Sequence, residues 1–421
     1  MAEAGKVLEG VFAITKPPSL SSAQVLRDLQ HAFAKSKTFR PLLEETTAKE
    51  DHNGRRSKRR RIDNDNVFRM GHGGTLDPMA TGVLIVGIGR GTKFLQNFLY
   101  CTKTYETVVL FGKSTDTYDV AGKVVASTGT SHIDRKMVEE KLGAFRGHIK
   151  QVPPIYSALK IDGMKAYDYA RSGKPLPREL AAREMDVSEC VLTDWYEPGQ
   201  HEFRWPAAEA PEEEKNVFKK LVHREDGGDG YVDAGHNSPK STVQQGSLET
   251  APEVQEAAQV GEVVQEARNS LSKEEKAALH THTMSELEKE AAHAPAARVR
   301  LTVSSGFYVR SFAHDLGLAC ASYGTMAELA RTRQAEFSAS DPVPEGLVPA
   351  VEHADIALGE EVWGPKITKV LEQWLENNPP PINSNSTTRS RSNFDRRPTG
   401  QGRRDDRGGN GKRRNSSSPE A

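Results

Sequence analysis

Residues 71–93 read Gly71-His72-Gly73-Gly74-Thr75-Leu76-Asp77-Pro78-Met79-Ala80-Thr81-Gly82-Val83-Leu84-Ile85-Val86-Gly87-Ile88-Gly89-Arg90-Gly91-Thr92-Lys93. Glycine lets the backbone take positive φ or approach a ligand closely, and proline stiffens the position after the acid. An aspartate is therefore held on a constrained loop, directly before the apolar run Val83–Val86. A carboxylate so placed can serve as a nucleophile or a general base. Taken alone, the stretch also fits a plain turn in which Asp77 accepts local hydrogen bonds. The glycines do not suit a nucleotide phosphate. A P-loop needs GxxxxGK[ST], and although Gly112-Lys113-Ser114 supplies its end, position 107 is Thr. Gly87, Gly89 and Gly91 alternate, which is not GxGxxG.

Outward from this stretch the chain mixes strands and helices. Val11–Ile14 is a short apolar strand, and Ser21 or Ser22 caps a helix with Val25, Leu26, Leu29 and Phe33 on one face. Thr104–Gly112 is rich in β-formers. Ser131–Phe145 reads as a helix with Met137, Val138, Leu142 and Phe145 inward. Arg298–Ser304 alternates as a half-buried strand, Arg310–Ala321 continues as a helix, and Ile367, Val370, Leu371, Trp374 and Leu375 form one helical stripe. Without regular βαβ repetition, the expected class is α+β with a mainly antiparallel sheet.

Hydrophobic residues make up only 36% of the 421 positions, which implies that part of the chain lies outside a packed core. Three segments have the composition of additions: 37–66, with the basic run Arg55–Arg61; 206–295, acidic and low in aromatics; and 380–421, rich in Arg and Gly. Ser272–Ala291, inside the second, has transient-helix character. The formal net charge of −1 conceals segregation: residues 197–296 carry −10 and the rest +9, with +6 in 381–421. A basic remainder of this kind attracts polyanions. Cys101, Cys190 and Cys320 are far apart and form no CxxC pair, so neither a disulfide scaffold nor a zinc site is expected. His280 and His282 lack a third metal ligand. No run of 18 apolar residues exists, so no membrane span is expected, and the first residues show neither a signal-peptide core nor an Arg-rich transit pattern.

The segment Gly71–Leu84 resembles the signature of the TruB family of pseudouridine synthases. Four more segments resemble that family's motifs in the same order: Lys16-Pro17 with Ser21-Ser22; Lys103-Thr104-Tyr105, continued by Gly112–Gly122; Gln151–Lys160 with Gly163, Ala166, Tyr167, Ala170, Arg171 and Gly173; and Ser305–Ser311 followed by Asp315-Leu316-Gly317. Ser19 stands where the first motif has glycine, and the final arginine-rich element is looser, reading Leu329-Ala330-Arg331-Thr332-Arg333. No stretch after residue 345 resembles the RNA-binding domain that often follows in this family.

The resemblance implies a pseudouridine-synthase catalytic domain assembled from residues 1–36, 67–205 and 296–345, with a short helical segment at 346–379. It implies that Asp77 is the essential carboxylate, acting on the ribose by attack or by proton abstraction. Arg310 would pair with it, and Tyr105 would stack on the flipped uracil and assist proton removal at C5. Tyr308 would line the pocket, His72 would pack on displaced bases, and Lys16 would serve loop structure or contact phosphate. The implied substrate is tRNA, at uridine 55 of its T-stem-loop. No cofactor, metal or guide RNA is expected, and the protein would act as a monomer. Read as an import or RNA-contact patch, Arg55–Arg61 places the protein in nucleus and cytoplasm, with a mitochondrial pool left open.

Overall fold

The computed structural model describes residues 5–52, 68–157, 159–172, 176–178, 180–212, 215 and 294–379. The basic run Arg55–Arg61, the Ser272–Ala291 segment, His280, His282 and residues 380–421 lie outside them. In chain order the helices are α1 (Ser22–Ala34), α2 (Arg40–His52), α3 (Leu95–Tyr100), α4 (Arg135–Leu142), α5 (Ala166–Arg171), α6 (Val309–Ala319), α7 (His353–Leu358) and α8 (Glu360–Asn377). The strands are β1 (Gly10–Lys16), β2 (Met70–His72), β3 (Thr81–Ile88), β4 (Lys103–Phe111), β5 (Lys113–Thr115), β6 (Val124–Ser127), β7 (Gly147–Gln151), β8 (Lys160–Ile161), β9 (Met164–Lys165), β10 (Arg183–Tyr196), β11 (Ala296–Val303), β12 (Gly324–Gln334), β13 (Phe337–Ser338), β14 (Val348–Pro349) and β15 (Val351–Glu352).

One large sheet runs β15-β1-β3-β12-β4-β11-β10-β7, with β2, β13 and β14 attached at its margins. Most pairs are antiparallel, while β1–β15, β3–β12 and β13–β14 are parallel. The α+β class read from the sequence is therefore the class observed. The central strands explain why their sequences are nearly continuous apolar runs: both faces are covered. On β4, Tyr105, Val109 and Phe111 join the main core, while Val108 and Leu110 turn to the opposite face, under Tyr196, Phe203 and Trp205. On β3, Leu84, Val86 and Ile88 join the main core, and Val83 and Ile85 pack with Phe98 and Phe337. The period of two sends neighbouring residues to opposite faces.

The predicted strands and the first helix stand close to their expected places, and Ser21 caps α1 by accepting the Gln24 N–H. The helix expected over Ser131–Phe145 is shorter, Arg135–Leu142. The Asp134 carboxylate accepts the Met137 N–H at 2.7 Å and starts the helix there, and a 3-10 turn at Gly143–Phe145 ends it. The segment 37–66 was expected to be an addition throughout, yet its first residues belong to the core. Phe39 is fully buried and stacks on Phe33 with centroids 4.3 Å apart, and Trp363 lies 4.9 Å from Phe33. Of the segment 346–379, residues 346–378 are likewise part of the same packed unit: β15 extends the sheet beside β1, and Trp363, Ile367 and Leu371 of α8 are buried in the main core. At the start of 206–295, Ala210 is buried and its N–H donates to Val124 O, while the Val124 N–H donates to Ala208 O, so the fold continues past 205.

Candidate active site

The functional loop runs from Gly73, after β2, to Gly82 on β3. Gly82 has φ +95°, and a Cβ there would overlap the Arg331 carbonyl oxygen, so only glycine lets β3 and β12 run this close. The middle of the loop is tied to the N-terminal part of the chain. Ser22 Oγ donates to Leu76 O and accepts the Leu76 N–H, at 3.2 and 3.0 Å. Lys16, fully buried, donates from Nζ to Pro17 O, Leu20 O and Pro78 O at 2.7, 2.6 and 2.9 Å. Burial pulls the Lys16 ammonium down to about 8, against the opposing pull of the Asp77 carboxylate. Of the two roles expected for Lys16, this geometry fits loop structure, since carbonyls enclose its charge. Ser19, in the turn before α1, has φ +69°, so it holds the left-handed conformation for which the motif's glycine is suited.

Asp77 meets Arg310 as the resemblance implied: Arg310 Nε lies 3.0 Å from Asp77 Oδ2. Arg310 stands in the first turn of α6 and is nearly buried. Its guanidinium gathers three further groups. Nη1 donates to Thr117 O at 3.1 Å, Nη2 donates to Tyr156 O at 2.8 Å, and Nε lies 3.7 Å from Asp119 Oδ2. The two carboxylates beside one guanidinium differ in access: the Asp77 side chain is 36% exposed and that of Asp119 only 8%. Asp77 is thus the more accessible carboxylate of the two. Asp119 is held from behind, its Oδ1 accepting from Thr117 Oγ1 and the Ala121 N–H. Burial raises its pKa, against the hydrogen bond from Thr117 and the charge of Arg310.

Tyr105 lies near the start of β4, nearly buried, opposite Leu301 on β11 and Arg331 on β12. Tyr308 caps α6. Its backbone is fixed to Gln151, whose Oε1 accepts the Tyr308 N–H and whose Nε2 donates to Tyr308 O. His72 ends β2, and burial together with the Arg331 charge lowers its pKa, which favours a neutral ring. The sequence reading missed Asp119 as a site residue although it lies inside the quoted Gly112–Gly122 motif. It also missed Gln151 as the anchor of Tyr308. Which aspartate of a motif turns inward depends on the turn after β5, and no spacing rule supplies that.

Known proteins resemble this chain over most of its length. Residues 59–207 match the N-terminal domain of the TruB family of pseudouridylate synthases. The chain is 37% identical over 335 residues to tRNA pseudouridine synthase 4 of Schizosaccharomyces pombe, covering 79% of this chain and 80% of that protein. It is 33% identical over 380 residues to tRNA pseudouridine synthase 4 of Saccharomyces cerevisiae, covering 87% and 85%. A solved Cbf5-Nop10-Gar1 complex is similar at 16% identity and a TM-score of 0.42, over 88% of this chain and 62% of that one. With identity of this extent along nearly the whole packed unit, the chain belongs to the TruB family of pseudouridine synthases and is an isomerase of that kind.

Proposed function

We propose that this protein isomerises uridine to pseudouridine in tRNA, at uridine 55 of the T-loop, acting as a monomer without guide RNA or cofactor. The observation that carries the reading is the Asp77–Arg310 pair at 3.0 Å, on the exposed side of a loop otherwise anchored by buried groups. The names of the two fungal relatives support tRNA as the substrate. The target base flips out of the loop, at a cost on the order of a few kcal/mol that stacking and backbone contacts offset. Asp77 acts on the ribose, as nucleophile or as base, and the N1–C1′ bond breaks. The base turns and C5 bonds to C1′. The C5 proton leaves and N1 gains one, so atoms and electrons balance without an oxidant or reductant. Tyr105 stacks on the uracil and assists at C5, Tyr308 lines the pocket, and His72 packs against bases displaced by flipping. A neutral His72 ring suits such packing. The basic run Arg55–Arg61 is proposed to place the protein in the nucleus as well as the cytoplasm; a fluorescent fusion with those residues changed to Ala and still nuclear removes that part.

The test incubates purified protein with an unmodified tRNA transcript and maps pseudouridine, with Asp77→Asn beside it. Conversion at the T-loop uridine by wild type alone is expected. Conversion elsewhere overturns the position, and wild type that binds tRNA without converting it overturns action without a guide.

A further inference from the structure

Arg331 is 1% exposed, one of the largest fully buried side chains, and it belongs to the loose arginine-rich element for which the reaction as described has no use. Among the described residues its donors go to main-chain carbonyls and no carboxylate pairs with it. A buried cation without a counter-ion is costly to keep. Its hydrogen bonds show what the fold obtains. Nε donates to Val83 O at 2.8 Å and Nη2 donates to Gly74 O at 3.2 Å. Those two carbonyls stand on either side of the segment 75–82, in which Asp77 sits. One rigid, planar guanidinium therefore joins both ends of the loop. Three residues on, Gln334 Nε2 donates to Gly73 O at 2.7 Å and Phe98 O at 2.8 Å. In the sheet Arg331 also pairs with Gly82 of β3 on one side and Tyr105 of β4 on the other. A single residue thus sets the spacing between the strand that leaves the aspartate and the strand that bears the tyrosine.

We propose that Arg331, seconded by Gln334, is a positioning residue for the reaction: its guanidinium staples the two ends of the Asp77 loop and holds the carboxylate at its working distance from the ribose. A lysine at 331 keeps the charge but has one donor centre, so it cannot span Gly74 O and Val83 O with the same fixed fork. The inference rests on Asp77 being the reacting carboxylate.

The experiment measures single-turnover pseudouridine formation, tRNA Kd and Tm for full-length wild type, Arg331→Lys, Arg331→Met, Gln334→Met and Asp77→Asn, on a tRNA transcript that wild type converts. A small misplacement of a reacting group lowers the rate by about a hundredfold. Arg331→Met is expected to show a loss of that order at saturating RNA, with Kd within about threefold of wild type, and Arg331→Lys to recover part of it. Gln334→Met is expected to lose about tenfold, since one of two anchors remains. Wild-type single-turnover rates in Arg331→Lys and Gln334→Met overturn the proposal, and they do so even where Arg331→Met fails to fold. A loss confined to Kd, with full rate at saturation, overturns it as well. An active Asp77→Asn instead removes the catalytic reading on which it rests, whereas an inactive Asp77→Asn beside a full-rate Arg331→Lys removes the staple alone.

Discussion

Two of the segments that reach Arg310 are built on opposite plans. The Gly73–Gly82 loop is tied down from several directions: by Ser22 and Lys16 near its middle, and by Arg331 and Gln334 at its ends. Residues 152–182 leave after Gln151 and return at Arg183, two residues that face each other in the β7–β10 pairing. Between those ends the excursion forms its own hairpin, β8–β9, and a small cluster of Ile161, Ala166 and Tyr169 with Leu159, Met164, Leu176 and Leu180. It meets Arg310 at the Tyr156 carbonyl, which accepts from Nη2. Around Asp77 the backbone is over-determined, whereas the excursion's own packing is separate from the main core.

The largest expected effect tests the first plan. Asp77→Asn keeps the loop's backbone anchors and should cost a hundred- to ten-thousandfold or more in conversion, about the range contributed by a positioned acid or base. Full activity in that variant would mean that the fixed loop positions something else. Next comes Arg310→Met, which strands the buried Asp119 carboxylate. Denaturant unfolding should show a loss of about 3 kcal/mol, the low end for breaking a buried pair because Asp119 can take a proton, and Asp119→Asn in the same background should restore part of it. No loss would mean the guanidinium does not hold the two carboxylates together.

The second plan predicts a local effect. Tyr169→Ala opens a cavity in the small cluster, worth on the order of 2 kcal/mol there, below the usual aromatic-to-alanine range because few residues surround it. Hydrogen exchange should rise in 159–172 with Tm nearly unchanged. A Tm that falls in step would show that the excursion and the main core are one cooperative unit. The smallest effect concerns Lys16. Its folded value of about 8 lies below its ordinary 10.5, so folding releases a proton between those values. The cost of burying it is fully present below pH 8, and its contribution to stability rises from pH 8 to 10.5. Lys16→Met should remove that rise in denaturation curves. Turnover should move the other way in wild type, declining above pH 8, because a neutral amine has two N–H groups for three carbonyls.

How much of this was legible follows from the range of each interaction. The Asp77 loop could be read because its glycines, acid and proline are contiguous and carry their own conformational meaning. Strands such as Thr104–Gly112 announced themselves by composition. The stripe on α8 was visible too, but its partners Phe33 and Phe39 lie more than three hundred positions earlier, so α8 looked like an appendage. Phe39 was hidden for the same reason, next to a polar stretch that masked its burial. Arg331 stood in plain sight as an arginine; only the pairing of β12 with both β3 and β4 reveals what its guanidinium reaches.

The pairing of β1 with β15, together with the seating of Trp363 beside Phe33 and Phe39, has a consequence for biosynthesis. The chain's first strand and first helix acquire their last covering only when residues beyond 350 have left the ribosome. At about 5–20 residues per second, that interval is on the order of tens of seconds. Until then the aromatic face of the first helix lacks the cover that Trp363 supplies, so the newborn polypeptide is a natural client for chaperones that shield apolar surface. A message truncated just before the final helices would yield a chain that retains every catalytic motif and yet leaves that face permanently open.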